Sequence, residues 1–133
     1  MGTFFTIKEL SRSNVAAKQG IDNTPIGEIK DNLEVMINKL LDPVRVKWGS
    51  PITVNSGYRS LELNKAVGGV ATSQHTKGQA VDITAGSPAK NKELFDIIIA
   101  SGFEFDQLID ERNYTWLHLS YKNGNCRNQV LHL

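Results

Sequence analysis

The chain has 133 residues, 15 Lys and Arg against 14 Asp and Glu, and a formal net charge of +1. That length suits one domain, residues 1–133, with a core that needs no disulfide staples. The scattered charge, with no basic stripe interleaved by aromatics, argues against nucleic acid, and no apolar run reaches the length of a membrane span. We expect a monomer.

The start, Met1-Gly2-Thr3-Phe4-Phe5-Thr6, lacks a charged region leading into an apolar core, so no secretory signal is expected. Gly2 with Thr6 matches only half of a myristoylation start. Thr6-Ile7-Lys8-Glu9 reads as a capping box opening a short helix. Residues 11–23 read as polar and irregular, broken at Gly20. Thr24-Pro25 reads as an N-cap followed by proline at the first helical position. From there Ile26, Ile29, Leu33, Met36, Ile37, Leu40, Leu41 and Val44 recur at spacings of three and four, which predicts a long amphipathic helix with Pro43 as a candidate kink.

After the Gly49-Ser50-Pro51 punctuation, residues 52–55 predict a strand. Ser60 caps a short helix over residues 61–67, which Gly68-Gly69 stops. Residues 80–84 predict a second strand, and Gly86-Ser87-Pro88 opens a helix through Ala100 that Gly102 ends. Residues 105–110 and 116–121 predict two more strands joined by an Arg112-Asn113-Tyr114 turn, and Val130 and Leu131 a further edge strand. Helices first, then short strands with one more helix, point to an α+β fold with a small, mainly antiparallel sheet flanked by helices.

The chemistry concentrates in two strands. In Ala80-Val81-Asp82-Ile83-Thr84 and Trp116-Leu117-His118-Leu119-Ser120 the apolar residues share one face, leaving Asp82 and His118 on the other. If the strands are neighbours in register, carboxylate and imidazole stand side by side. His75 lies on the loop feeding the first strand, and Gly78 lets that loop turn back. Two imidazoles and one carboxylate, with a vacancy for water, are the donor set of a catalytic zinc site, whereas a structural zinc site takes four ligands. The lone Cys126 excludes an internal disulfide or a paired-cysteine metal site and reads as a bland thiol; His132 reads as incidental.

The segment Ser73-x-His75-x-x-Gly78-x-Ala80-x-Asp82, followed by Trp116-x-His118, resembles the zinc D-alanyl-D-alanine carboxypeptidase family of peptidoglycan peptidases. That family includes bacterial wall carboxypeptidases, the D-Ala-D-Ala dipeptidases of vancomycin resistance and phage endolysins that cut L-Ala-D-Glu bonds. Its metal site is similar to that of the Hedgehog signalling domain. The resemblance runs from about Ile52 to Tyr121 and takes in Ser56-Gly57-Tyr58-Arg59. The opening Phe5-Thr6-Ile7-Lys8-Glu9-Leu10 is similar to compact phage and prophage members.

The resemblance implies Zn2+ held by His75, Asp82 and His118. It also implies a general base. The dipeptidases carry a glutamate three residues before the last histidine, where this chain has Thr115. Other members carry an acid at the end of the preceding strand, which implies Glu111, five residues after Asp106, with Asp110 as the alternative if the hairpin register exchanges the two. Arg59 corresponds to an arginine that orients the peptide and stabilises the oxyanion; on composition alone it is equally a surface ion-pair partner. Ser73 and Gln74 either position His75 or bind substrate. Trp116 either walls the cleft or packs in the core, and Tyr58 reads as structural.

The expected function is a zinc metallopeptidase acting on peptidoglycan stem peptides, by removal of terminal D-Ala or by internal L-Ala-D-Glu cleavage. The competing expectations are a non-catalytic zinc module that binds the cell wall and a virion component using the same domain. The absence of a leader fits release at lysis or carriage in a virion, and a trimmed leader fits it equally.

Overall fold

A computed structural model of the chain describes residues 4–133. Met1 to Thr3, including the Gly2 of the half-matched acylation start, lie outside the described residues. Helix α1 spans Ile7–Ser11, and the Thr6 hydroxyl accepts from the Glu9 backbone N–H at 3.1 Å, as the capping box predicts. Residues 11–23 are not irregular throughout. Helix α2 spans Asn14–Gln19, capped by the Ser13 hydroxyl on Ala16 N–H at 3.2 Å and closed by left-handed Gly20. It buries only Ala16, so it carries no apolar stripe to read.

Helix α3 begins at Gly27, not at Pro25. The Asp22 carboxylate accepts from Thr24 N–H at 3.0 Å and turns the chain there, and Gly27 has a φ of +58°, so the helix does not extend back. Ile26 consequently lies outside the predicted stripe and is 73% exposed. In the rest of the stripe Ile29 is half-buried against the core, and Leu33, Met36, Ile37, Leu40, Leu41 and Val44 are all buried. Helix α3 (Gly27–Met36) runs through a π-helical turn, Ile37–Leu41, into α4 (Asp42–Trp48). The Asp42 N–H reaches back to the Ile37 carbonyl, so the wide turn sits just before Pro43, whose nitrogen has no hydrogen to donate. Pro43 is therefore absorbed without ending the helix, and left-handed Gly49 closes it.

Beyond it come five strands: β1 (Thr53–Ser56), β2 (Ala80–Thr84), β3 (Gln107–Glu111), β4 (Trp116–Ser120) and β5 (Gln129–His132). Between them lie α5 (Leu61–Ala66), capped by Ser60, and α6 (Pro88–Ala100), capped by Ser87. The order across the sheet is β1-β2-β4-β3-β5. The first three pairings are antiparallel, whereas β5 runs parallel to β3 at the edge. The architecture is α+β with a mostly antiparallel sheet, as expected. Strand β3 begins two residues later than predicted and includes Glu111.

Register decides the two faces. Val54 lies opposite Ile83, Ile83 opposite Leu117, Val81 opposite Leu119 and Leu119 opposite Leu108. These residues join the helices in one apolar cluster. Complete burial of a leucine such as Leu33, Leu94 or Leu117 contributes about 1.5–3 kcal/mol each. The other face carries Asp82 opposite His118, and Glu111 opposite Trp116. Asn91 of α6, fully buried, ties the end of β2 to the start of β4. Its carbonyl oxygen accepts from Ala85 N–H at 2.6 Å and its amide donates to the Tyr114 and Thr115 carbonyls at 2.9 and 3.2 Å.

Candidate metal centre

Antiparallel pairing of β2 with β4 sets Asp82 directly across from His118, and His118 Nδ1 lies 3.1 Å from Asp82 Oδ1. His75 enters from a 3-10 turn, Gln74–Lys77, and its Nε2 lies 3.4 Å from Asp82 Oδ2. One donor atom from each of His75, Asp82 and His118 lies within 4.8 Å of the others, and the two rings meet edge-to-face at 5.3 Å. The structure thus brings together all three predicted ligands.

The turn that delivers His75 is locally encoded. The Ser73 hydroxyl accepts from His75 N–H at 3.2 Å, and Gly78 closes the turn at a φ of +70°. A side chain at Gly78 would also press on the Ile29 carbonyl oxygen, 2.7 Å from the Cβ position. The ring is aimed by Gly57: its carbonyl lies 2.8 Å from His75 Nδ1. A carbonyl only accepts, so Nδ1 carries a proton and Nε2 is the ring nitrogen turned toward Asp82. Burial acts to raise the Asp82 pKa, but hydrogen bonds from His118 and His75 and their charge hold it well below the usual carboxylate range. Two imidazole nitrogens and an ionised carboxylate, converging on one point, fit a divalent ion of zinc's character.

Glu111 and Asp110 part company. Glu111 shares the face of His118 and Trp116, and burial raises its pKa; His118 opposes that rise, while Asp82 and Asp110 add to it. Asp110 pairs with Leu117 and so faces the helices. Its Oδ1 accepts from Tyr114 N–H at 3.0 Å and its Oδ2 lies 2.6 Å from His132 Nδ1. His132 is therefore not incidental: it ties β5 to β3 through a buried carboxylate.

Arg59 lies beside the metal group. Its backbone N–H donates to the His75 carbonyl at 3.0 Å, and Nη2 donates to Ser73 Oγ at 3.3 Å. Among the described residues its buried Nε has no hydrogen-bond partner. Burial lowers the Arg59 pKa and the Asp82 charge opposes that shift, but a guanidinium stays charged at neutral pH. No carboxylate forms an ion pair with it among the described residues, so it is not the surface ion-pair partner that composition alone allowed. A groove of about 460 Å3 borders it, lined in part by Arg12, Ser56, Tyr58, Leu63 and Val67.

Ser73 serves His75 and Arg59 together. Gln74 turns away from the site: its amide donates to Asp106 Oδ2 at 2.8 Å. Trp116 is half-buried on the site face, with the Arg112 guanidinium 5.8 Å from the ring centroid, and it leaves the core to Leu117. Tyr58 is buried, and its carbonyl accepts from the Asn23 amide at 2.9 Å.

Residues 3–120 match the family model described as Peptidase M15. The chain belongs to the peptidase M15 family. This M15 chain is also similar to the zinc D-Ala-D-Ala carboxypeptidase of Streptomyces albus G, with 37% identity over 83 residues, 62% of this chain. It spans about a third of that relative's length (32%).

Several residues that support the M15 site carry no signal of their own in the sequence. Gly57 holds His75 through a backbone carbonyl, which any residue type offers. Asp106 reads in the sequence only as a spacing marker before Glu111, yet its side chain is fully buried and bonded to Arg127 at 2.8 Å. Asn23 joins three segments, donating to the Ser11 and Tyr58 carbonyls and accepting from Ser60 N–H.

Proposed function

We propose that the chain is a zinc metallopeptidase that hydrolyses peptide bonds in peptidoglycan stem peptides, in the manner of a D-Ala-D-Ala carboxypeptidase. Membership of the peptidase M15 family supports the reaction class. Similarity to the Streptomyces albus G enzyme supports the metal and the substrate. The observation that carries the reading is the convergence of His75, Asp82 and His118 on one point, with Glu111 on the same sheet face.

His75 Nε2, an Asp82 oxygen and His118 Nδ1 would hold the ion. When bound, zinc supplies Lewis acidity: it polarises a carbonyl and makes water acidic enough to yield hydroxide near neutral pH. Glu111 accepts a proton from the attacking water on a carboxylate oxygen and hands it to the departing amide nitrogen. Partial burial raises its pKa, which strengthens it as a base. The Arg59 guanidinium holds negative charge, either the terminal carboxylate of the peptide or the oxyanion that forms at the attacked carbonyl. Ser73 keeps that guanidinium beside the His75 turn. Trp116 limits access of solvent from the β3–β4 side.

Removal of a terminal D-Ala requires a cation for the free carboxylate, and Arg59, held beside the His75 turn with no carboxylate ion pair among the described residues, offers one. That favours carboxypeptidase action over internal L-Ala-D-Glu cleavage of the endolysin kind. Digestion of purified peptidoglycan, with mass spectrometry of the products, tests both. Free D-Ala supports the carboxypeptidase, new L-Ala and D-Glu termini support a phage-type endopeptidase, and intact wall with retained binding supports a recognition module.

A further inference from the structure

We propose that the C-terminal segment takes part in metal binding, with Arg127 and Asp106 acting as positioning residues for His75 through Gln74. The inference rests on the zinc reading of the site. Asp106, at the entry to β3, has a side chain with no solvent exposure. Four hydrogen bonds converge on it. Oδ1 accepts from Arg127 N–H at 3.1 Å and from Arg127 Nε at 2.8 Å; Oδ2 accepts from Arg127 Nη2 at 2.9 Å and from Gln74 Nε2 at 2.8 Å. The carboxylate is thus gripped by the fork of one arginine and shares an oxygen with the residue immediately before a metal ligand.

Gln74 opens the 3-10 turn that carries His75, and its carbonyl accepts from Gln79 N–H at 3.1 Å, one residue before β2 begins. Fixing the Gln74 side chain therefore fixes the pitch of the whole turn relative to β2, on which Asp82 stands. Four anchors then locate His75: Ser73 and the Arg59 N–H on its backbone, Gly57 on its ring and Asp106 on the turn that bears it.

The chain beyond β4 returns to Asp106 and holds it in position. The Asp106 backbone carbonyl accepts from Gln129 N–H at 3.0 Å, and the Asn128 side chain accepts from Phe105 N–H at 3.0 Å. Residues 127–129 thus close over the start of β3. Without the Arg127 fork, the buried carboxylate keeps only the Gln74 amide as a side-chain donor, and a carboxylate in that state draws in water or rotates out. Either movement withdraws the anchor from the His75 turn. Groups bonded behind metal ligands set affinity by orienting the donors.

The test uses the full chain and zinc itself. Zinc affinity is measured by competition with a chromogenic chelator for wild type, Arg127→Ala, Gln74→Ala and the double variant, and the visible spectrum of each Co2+-loaded form is recorded. Each single substitution should weaken zinc binding about tenfold, the low end for groups that orient ligands. The double variant should be no more than about twofold weaker than either single, because both break one chain of contacts. Arg127→Lys should recover part of the loss, and the Co2+ spectrum should shift in Arg127→Ala. Unchanged zinc affinity and spectrum in Arg127→Ala beside tight wild-type binding, or additive losses in the double variant, would overturn the clasp alone. A wild-type chain that takes up no zinc would overturn both the clasp and the reading beneath it.

Discussion

Asp82 and His118 face each other across the β2–β4 pair, and their side chains meet at 3.1 Å on the face of the sheet turned away from the helices. The alternation of apolar residues in both strands produces this. Leu117 and Leu119 must go inward, so His118 goes outward, and the same holds for Val81, Ile83 and Asp82. A shift of register by one residue would bury both site residues and expose Val81, Ile83, Leu117 and Leu119, all of them buried in the fold. The core and the metal centre are thus specified by one pattern.

The role proposed for Glu111 is separable from metal binding. Glu111→Gln removes the proton acceptor and leaves His75, Asp82 and His118 intact, so zinc affinity should stay within about twofold while turnover falls by roughly 10²–10⁴. The base works only when ionised, so activity should fall as pH drops through its pKa. Burial moves that pKa above the ordinary value of 4.5, so the acid limb should lie above the pH at which a solvated glutamate titrates. A kcat/KM profile against pH, with zinc content checked at each point, measures both.

Gly57 is the point where packing and the metal centre meet. A Cβ there would overlap the Leu10 carbonyl oxygen. Gly57→Ala should cost about 1–3 kcal/mol of stability by overpacking. It should also weaken zinc binding more than that loss accounts for, since the Gly57 carbonyl orients His75. Urea denaturation of the metal-free chain and zinc titration at one temperature separate the two effects.

How far the site can be read from sequence depends on the kind of group each contact uses. His75, Asp82 and His118 are side-chain donors on segments with strong local signals, and their convergence comes from strand alternation. Which of Glu111 and Asp110 shares the face of His118 is open in the sequence because adjacent strand residues face opposite ways; the β3–β4 register puts Glu111 there. Helix α2 is hidden because a six-residue helix with one buried side chain has no periodicity. The parallel pairing of β5, and with it the contacts of Arg127 and His132 to buried carboxylates, depends on residues 21 and 22 positions apart that no local pattern announces.

Asp106 should make folding sensitive to acid. Hydrogen bonds from Arg127 lower its pKa to about 2 from 3.8, outweighing burial, and the Gln74 bond adds to the shift. A depressed pKa stabilises the fold above the unfolded value of 3.8, and that stability is lost as pH falls through the folded value. The contribution is roughly 2 kcal/mol. In the metal-free chain, the stability gap between wild type and Asp106→Asn should be largest at about pH 5 and should shrink by about pH 2.5, as measured by urea unfolding at both pH values.

His132→Ala should destabilise the chain by about 1–3 kcal/mol, because the buried Asp110 oxygen loses its partner at 2.6 Å. Replacing Asp110 by Asn in the same background should recover part of that loss, since a neutral amide is cheaper to leave there. Denaturant titrations of the single and double variants provide the comparison.

The most direct test of the metal centre is zinc K-edge absorption on the purified, zinc-loaded chain. Coordination by two imidazole nitrogens and a carboxylate oxygen, with loss of the ion in His75→Ala, Asp82→Ala and His118→Ala alike, is the predicted result. A sulfur donor in the first coordination sphere, or zinc retained when Asp82 is removed, would contradict the account.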